Sequence, residues 1–208
     1  MTVIAVTGTG TEVGKTFVAA AVAVELRVQG VAVHARKPVQ SFLPGDETDA
    51  DVLAAATGED PHEVCPAHRW FPTAMAPPMA AAALGEPAFT IADLVGELRV
   101  PAGGTTIVEG AGGLRSPLAD DGDTRTLIEA CDPDAVLLVA NAGLGTIHDV
   151  RLCAEALGGR RRLLVYLNRF DGLDRLHVRN AEWLRTRDGL EVFTDLEAIS
   201  AVVAAIGR

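Results

Sequence analysis

The run Gly8-Thr9-Gly10-Thr11-Glu12-Val13-Gly14-Lys15-Thr16 constrains this chain more than any other segment. A short apolar stretch at residues 3–6 precedes it. An Ala- and Val-rich helical stretch from Lys15 to about residue 29 follows, and Gly30 ends it. Gly-Lys-Thr between a strand and a helix builds a phosphate cradle. Backbone N–H groups and the positive helix end hold phosphate oxygens. The lysine reaches the β/γ oxygens and the threonine hydroxyl holds Mg²⁺. Glu12, Val13, Gly14, Lys15, Thr16 and Phe17 are therefore expected to hold a nucleotide. The common pattern has four residues between its glycines; counted from Gly8 this chain has five. Either Thr9 fills the first position or the loop is one residue longer.

The rest of the chain alternates apolar runs with helix-length segments. Strands are expected at residues 31–35, 106–108, 135–140, 163–167 and 190–193. Helices are expected at 49–56, 79–84, 90–98, 124–130, 146–157, 174–187 and 195–206, with Gly58 stopping the first. Asp49 is placed to N-cap its helix, and Thr90 precedes Asp93 with capping-box spacing. Residues 60–78 hold several prolines and no period, which predicts an irregular excursion. There is no internal repeat and no low-complexity linker. The pattern predicts one α/β domain over residues 1–208, P-loop NTPase-like, with a doubly wound, mainly parallel sheet flanked by helices. Ligands bind such sheets at the carboxyl ends of the strands. The loops after Thr7, Val108 and Leu167 all lie there.

Composition narrows the function classes. Only 4% of the residues are aromatic and 49% are apolar, so the core must be aliphatic, as buried parallel strands prefer. The formal charge of −10 disfavours a polynucleotide partner. A nest of backbone N–H groups still lets an acidic protein hold a nucleotide. Cys65, Cys131 and Cys153 are odd in number and widely spaced, which implies reduced thiols rather than a disulfide framework. The five histidines show no metal spacing. No charge-free apolar run is long enough to span a membrane, and no basic segment leads into the first strand. A soluble, cytoplasmic protein is expected.

Only two lysines, Lys15 and Lys37, stand against sixteen arginines. A mobile point charge is the property that arginine cannot supply. Lys37 lies in Lys37-Pro38-Val39-Gln40-Ser41, just past the second apolar run. A second glycine loop, Glu109-Gly110-Ala111-Gly112-Gly113, follows the strand at 106–108. Glu109 ends a buried strand, where a carboxylate is costly without a partner. Thr16, Asp49 and Glu109 offer Mg²⁺ a hydroxyl and two carboxylates, all hard oxygen ligands. Asp49 alone also fits a simple helix cap, and Ser41 an exposed turn serine.

These motifs together resemble the dethiobiotin synthases. That family has the longer loop with a Thr-Glu-Val-Gly-Lys-Thr core, a Lys-Pro-Val segment, and a third motif like Val108-Glu109-Gly110-Ala111-Gly112-Gly113 with Pro117 and Leu118 downstream. It also has a Leu-Gly segment like Leu144-Gly145-Thr146. The ordered set spans residues 3 to about 170. The resemblance implies an ATP-dependent cyclo-ligase closing the ureido ring of dethiobiotin from 7,8-diaminononanoate and CO₂, in biotin biosynthesis. It implies a homodimer with Mg²⁺ as cofactor, and no nucleic-acid or membrane partner. Lys37, Lys15 and Thr11 are the implied catalytic residues. Ser41 would bind substrate, and Leu144, Gly145, Thr146 and Ile147 would hold its tail carboxylate across the dimer interface. Glu109, Gly110, Ala111, Gly112, Asn168 and Arg169 complete the implied nucleotide site.

The chain departs from the family in places. His148-Asp149 stands where Asn is usual, and Ala76-Pro77-Pro78 where Ser-Pro-His is common. The pattern Asn168-Arg169-Phe170-Asp171 fits adenine reading by resemblance, and it also resembles the guanine-reading motif of GTPases, so both bases stay open. Two other classes carry a similar loop. A partition-type switch ATPase carries a lysine five positions before the P-loop lysine; here that position is Gly10. A cobyrinate-type amide synthetase carries a glutaminase domain, for which 208 residues leave no room. A degenerate nucleotide-binding module without ligase activity is the remaining alternative.

Overall fold

The protein is described here by a computed structural model covering residues 1–207. The first half comprises β1 (Thr2–Gly8), α1 (Lys15–Val28), β2 (Val33–Arg36), β3 (Gln40–Ser41), α2 (Asp49–Thr57), α3 (Pro61–Val64), β4 (Trp70–Phe71), α4 (Pro77–Leu84) and α5 (Ile91–Glu97). The second comprises β5 (Thr105–Glu109), β6 (Pro117–Ala119), β7 (Gly122–Asp123), α6 (Thr124–Cys131), β8 (Ala135–Asn141), α7 (Thr146–Leu157), β9 (Arg162–Asn168), α8 (Arg175–Thr186), β10 (Glu191–Phe193) and α9 (Leu196–Ile206).

Six strands form the central sheet in the order β10-β9-β8-β1-β5-β2, and every pairing is parallel. The strands read as continuous apolar runs because both faces are covered. Side chains alternate between the faces. Ile4, Val6, Ile107, Leu137, Val139, Leu164 and Tyr166 pack with the residues of α1, α2 and α9. On the other face, Val108 packs with α4, α5 and α6, while Leu138, Ala140, Val165 and Leu167 pack with α7 and α8. The order places β1 at the centre, with chain excursions leaving to either side. Such a switch point opens the crevice in which doubly wound sheets bind ligands.

Three local features differ from the sequence expectation. The helix at residue 49 is capped by Thr48, not Asp49. Thr48 Oγ1 accepts from Asp51 N at 3.2 Å, and the Asp51 carboxylate accepts from Thr48 N at 3.1 Å. Asp49 is thereby the first helical residue, and its carboxylate is released for other partners. The stretch 60–78 is more ordered than its prolines suggest. Pro61 sits at a helix start, where its missing N–H costs nothing. Asp60 and Glu63 form a capping box around it. Trp70–Phe71 then pairs in parallel with Gln40–Ser41. Finally, β6 and β7 form a small antiparallel ladder that the sequence reading omits. The Thr90–Asp93 capping box is present as expected. Among the described residues no helix is long and apolar enough to cross a membrane.

Candidate active site

Because every strand of the sheet is parallel, the loops after β1, β2, β5, β8 and β9 share one edge. The loop after β1 is tied down from several sides. Gly8 lies so close to Val13 that an added Cβ would stand 2.7 Å from its Cγ2, which accounts for glycine at the strand end. Six residues, Thr9 to Gly14, link the end of β1 to the start of α1. Gly14 has φ 90°, a left-handed conformation that favours glycine, and it directly precedes Lys15 at the start of α1. Asn168 Nδ2, from the end of β9, donates to the Val13 carbonyl at 2.9 Å. Arg169 donates to the Glu12 carbonyl at 3.2 Å. The Lys15 ammonium donates to the Gly10 carbonyl at 3.2 Å. Burial lowers its pKa, and the nearby Lys37 charge lowers it further.

Lys37, immediately beyond β2, is 1% exposed. Its Nζ donates to Asp49 Oδ2 at 2.6 Å, to Glu109 Oε1 at 2.7 Å and to the Gly110 carbonyl at 2.9 Å. Those contacts use all three ammonium protons. Burial alone would depress the Lys37 pKa, but the two carboxylates outweigh it and the pKa is raised. The Lys37 charge holds the half-exposed Asp49 below the usual carboxylate range. Glu109 is fully buried, and the desolvation of its charged form raises its pKa. One ammonium cannot neutralise two carboxylates equally, and the deeper one carries the penalty.

Thr16 Oγ1 lies 2.8 Å from Asp49 Oδ1 and 2.8 Å from Glu109 Oε1. A hydroxyl has one proton and cannot donate to both. Glu109 Oε2 is buried with no partner. The cluster thus holds more anionic oxygen than its donors satisfy, and the donor set is one that a hard divalent cation accepts. No group of three or more His, Cys, Asp or Glu side chains converges as a metal site among the described residues. The candidate set of Thr16, Asp49 and Glu109 has only two carboxylates, as suits an ion that keeps several waters.

A cavity of about 610 Å³ opens beside this cluster. Thr11, Glu12, Gly14, Lys15, Thr16 and Phe17 form one side of it. Ser41, Asp49, Ala111 and Gly112 form others, and Met75 to Pro77 complete the wall. Ser41 Oγ donates to the Met75 carbonyl at 2.6 Å. Val13, Lys37, Glu109 and Gly110 are buried and do not line this cavity; nor do Asn168 and Arg169. Leu144, Gly145, Thr146 and Ile147 lie at the start of α7 and do not reach the cavity within this chain. There Leu144 is 92% exposed, whereas Thr146 is buried and its Oγ1 has no partner. Sequence reading missed Gln40, which lines the cavity between the two ends of the Lys37–Ser41 run. A glutamine in the apolar run just past Lys37 is the only signal that could have drawn notice. A larger hollow of about 840 Å³ lies against the outer edge of β2, and no residue of the glycine loop reaches it.

Comparison with known proteins agrees with this geometry. A family described as an AAA domain matches residues 2–204. The chain is 36% identical over 193 residues to the ATP-dependent dethiobiotin synthetase BioD of Haloferax mediterranei, covering 91% of this chain and 82% of that protein. It is 41% identical over 167 residues to the protein of the same name from Mycobacterium tuberculosis, covering 77% and 71%. Among solved structures, chloroplast FtsY from Physcomitrella patens superposes with a TM-score of 0.54 at 15% identity, over 100% of this chain and 65% of that one. The Signal Recognition Particle 54 kDa protein of Aeropyrum pernix, in complex with GDP, gives 0.51 at 16% identity, over 99% and 46%. These two likenesses show the fold, a P-loop NTPase-type parallel sheet. With the P-loop, the buried Lys37 cluster and the matching relatives in place, the chain belongs to the family of ATP-dependent dethiobiotin synthetases.

Proposed function

We propose that this protein closes the ureido ring of dethiobiotin from 7,8-diaminononanoate and CO₂, with ATP as co-substrate. One substrate amine adds to CO₂ and loses a proton, giving a carbamate. A carbamate oxygen attacks the γ-phosphorus and ADP leaves. The second amine attacks the carbamoyl carbon of the mixed anhydride, expels phosphate and gives up its proton, closing the ring.

The observation that carries this reading is the second lysine. A fully buried ammonium beside the phosphate cradle is more than nucleotide hydrolysis by a P-loop needs. Phosphoryl transfer depends mainly on positioning and charge neutralisation. Lys15 would reach the β/γ oxygens, and Thr11 would donate from the loop tip toward the reacting amine side. Mg²⁺ would be held by Thr16, Asp49 and Glu109, and it supplies charge neutralisation at the phosphates. With Asp49 turned to that role, Lys37 has one N–H free for a carbamate oxygen. Ser41 lies on the same side of the cavity. One N–H of Asn168 is spent on the glycine loop, and the rest of its amide would read the adenine edge, with Arg169 beside it.

The tail carboxylate would sit at the α7 start of a second copy. The unpartnered Thr146 hydroxyl and the first-turn N–H groups favour an anion there. We place the enzyme in the cytoplasm as a homodimer.

Phosphate release tests the reading, with diaminononanoate, bicarbonate and Mg²⁺ supplied alongside ATP, GTP or CTP in parallel. Release that depends on the diamine is expected with ATP. No diamine-dependent release with any nucleotide would leave the chain a nucleotide-binding module. Sedimentation at assay concentration should give a dimer; a fully active monomer contradicts the shared pocket.

A further inference from the structure

Gln40 stands between Lys37 and Ser41 on β3 and is 2% exposed. Its Oε1 accepts from Ala50 N at 3.0 Å, in the first turn of α2. Only an acceptor answers an N–H, so this contact fixes which end of the amide is oxygen. The other end, Nε2, carries two donors and has no partner. Leaving a buried donor unmet is destabilising, and holding Ala50 N needs only the oxygen end of the amide. Gln40 nevertheless forms part of the wall of the 610 Å³ cavity, beside Ser41 and Asp49.

We infer that Gln40 is a substrate-binding residue whose Nε2 donates to an oxygen of the substrate carbamate while its Oε1 holds the start of α2. The inference rests on the dethiobiotin reading. The donor inventory favours the carbamate over the nucleotide. The phosphates already have Lys15 and the loop N–H groups. The carbamate side has few donors: two protons of Lys37 stay on Glu109 and Gly110, only the one that Asp49 releases is free for the carbamate, and Ser41 Oγ donates to Met75. A neutral amide adds a donor without adding charge to a crowded cluster. Because Ala50 follows Asp49 directly, one side chain links the carbamate to the helix start that presents Asp49.

Two substitutions separate the ends of the amide. Gln40→Met removes donor and acceptor; Gln40→Glu keeps an oxygen for Ala50 N and removes the donor. Both are expected to raise KM for diaminononanoate roughly 10- to 100-fold, the effect of one lost hydrogen bond that leaves a buried partner unmet. KM for ATP should stay within about 3-fold, since ATP uses other donors. Wild-type diamine KM in Gln40→Glu overturns the inference, because the residue then acts only through Ala50. Equal loss of ATP and diamine affinity also overturns it, as a structural effect. The native protein gives a reading that needs no variant to fold. The side-chain amide nitrogen resonance of Gln40 should shift when diaminononanoate and bicarbonate are added together, and not with ATP alone. Turnover with an unmoved Gln40 resonance sinks this inference alone. No turnover by the wild type sinks the ligase reading itself.

Discussion

Arg36 and Lys37 are consecutive in the chain and serve two opposite kinds of ion cluster. Arg36 donates to Glu59 Oε1 at 2.8 Å, to the Arg99 carbonyl at 2.7 Å, and to the Ala35 carbonyl. The second Glu59 oxygen accepts from Ala35 N at 2.8 Å, which occupies an outward N–H of the edge strand β2. His34 Nδ1 lies 3.2 Å from the same carboxylate. Donors and acceptors match, and although burial acts to raise the Glu59 pKa, its bonds to Arg36 and Ala35 lower it overall. Around Lys37 the sum does not close. Thr16 faces two carboxylates with one proton, Glu109 Oε2 has no partner, and Glu109 is pushed up. A cluster that serves only the fold can satisfy itself. A cluster that serves a ligand leaves groups unmet until the ligand supplies their partners.

The strongest test of this contrast is Lys37→Arg. A guanidinium cannot occupy a point-charge site with three convergent acceptors. Turnover should fall roughly 10²- to 10³-fold, the scale for losing a group that acts on the developing charge. Nucleotide affinity, measured by titration calorimetry, should persist. Near-wild-type phosphate release in this variant would remove Lys37 from the chemistry. Glu109→Gln comes next. Turnover should fall by about 10²-fold, while the thermal midpoint holds or rises, because a desolvated carboxylate is replaced by a neutral isostere and Asp49 still pairs Lys37. A variant less stable yet fully active would make Glu109 a structural residue after all.

Glu59→Gln should do the reverse. It leaves the nearly buried Arg36 without its carboxylate, which costs about 2–4 kcal/mol of unfolding free energy in denaturant titration. The kcat/KM should stay within about 3-fold, since no contact of Glu59 reaches the cavity by the glycine loop. If Glu59→Gln and Glu109→Gln lose activity alike, the two clusters are not separable and the contrast fails.

How far the sequence foretold these clusters depends on distance along the chain. Lys15 and Thr16 were legible because one local motif fixes both strand and helix around them. The alternating apolar runs gave the parallel sheet and all six of its strands within a few residues. The meeting of Lys37 with Glu109 was not legible from spacing, since it depends on β2 pairing with β5 across 72 positions. Resemblance to a family brought those two residues together before the fold did. Asp49 fits both a Mg²⁺ ligand and a helix cap in sequence, because Thr48, one residue earlier, has the same capping chemistry; only backbone geometry gives the cap to Thr48. Gln40 was passed over because its meaning lies in a backbone N–H ten residues away. The β3–β4 pairing, two residues long, is too short to leave any periodicity.

The smallest predicted effect is also the one that sets the two clusters against each other by sign. The folded-state pKa of Glu59 lies below its ordinary value of 4.5. Its stabilising contribution is therefore complete above 4.5. As pH falls below that, the unfolded chain takes up the proton first, and the contribution is lost as pH passes the folded value. Glu109 runs the other way. Its folded pKa lies above 4.5, so the fold binds the proton more readily than the unfolded chain. Its contribution is present below 4.5 and is lost as pH rises through the folded value. Each group can change the slope of stability against pH by at most about 1.4 kcal/mol per unit. Denaturant midpoints between pH 6 and pH 3 should therefore fall less steeply in Glu59→Gln than in the wild type, and more steeply in Glu109→Gln. Parallel curves for all three proteins would mean that neither carboxylate differs from its unfolded state, and the division into a satisfied and an unsatisfied cluster would lose its electrostatic basis.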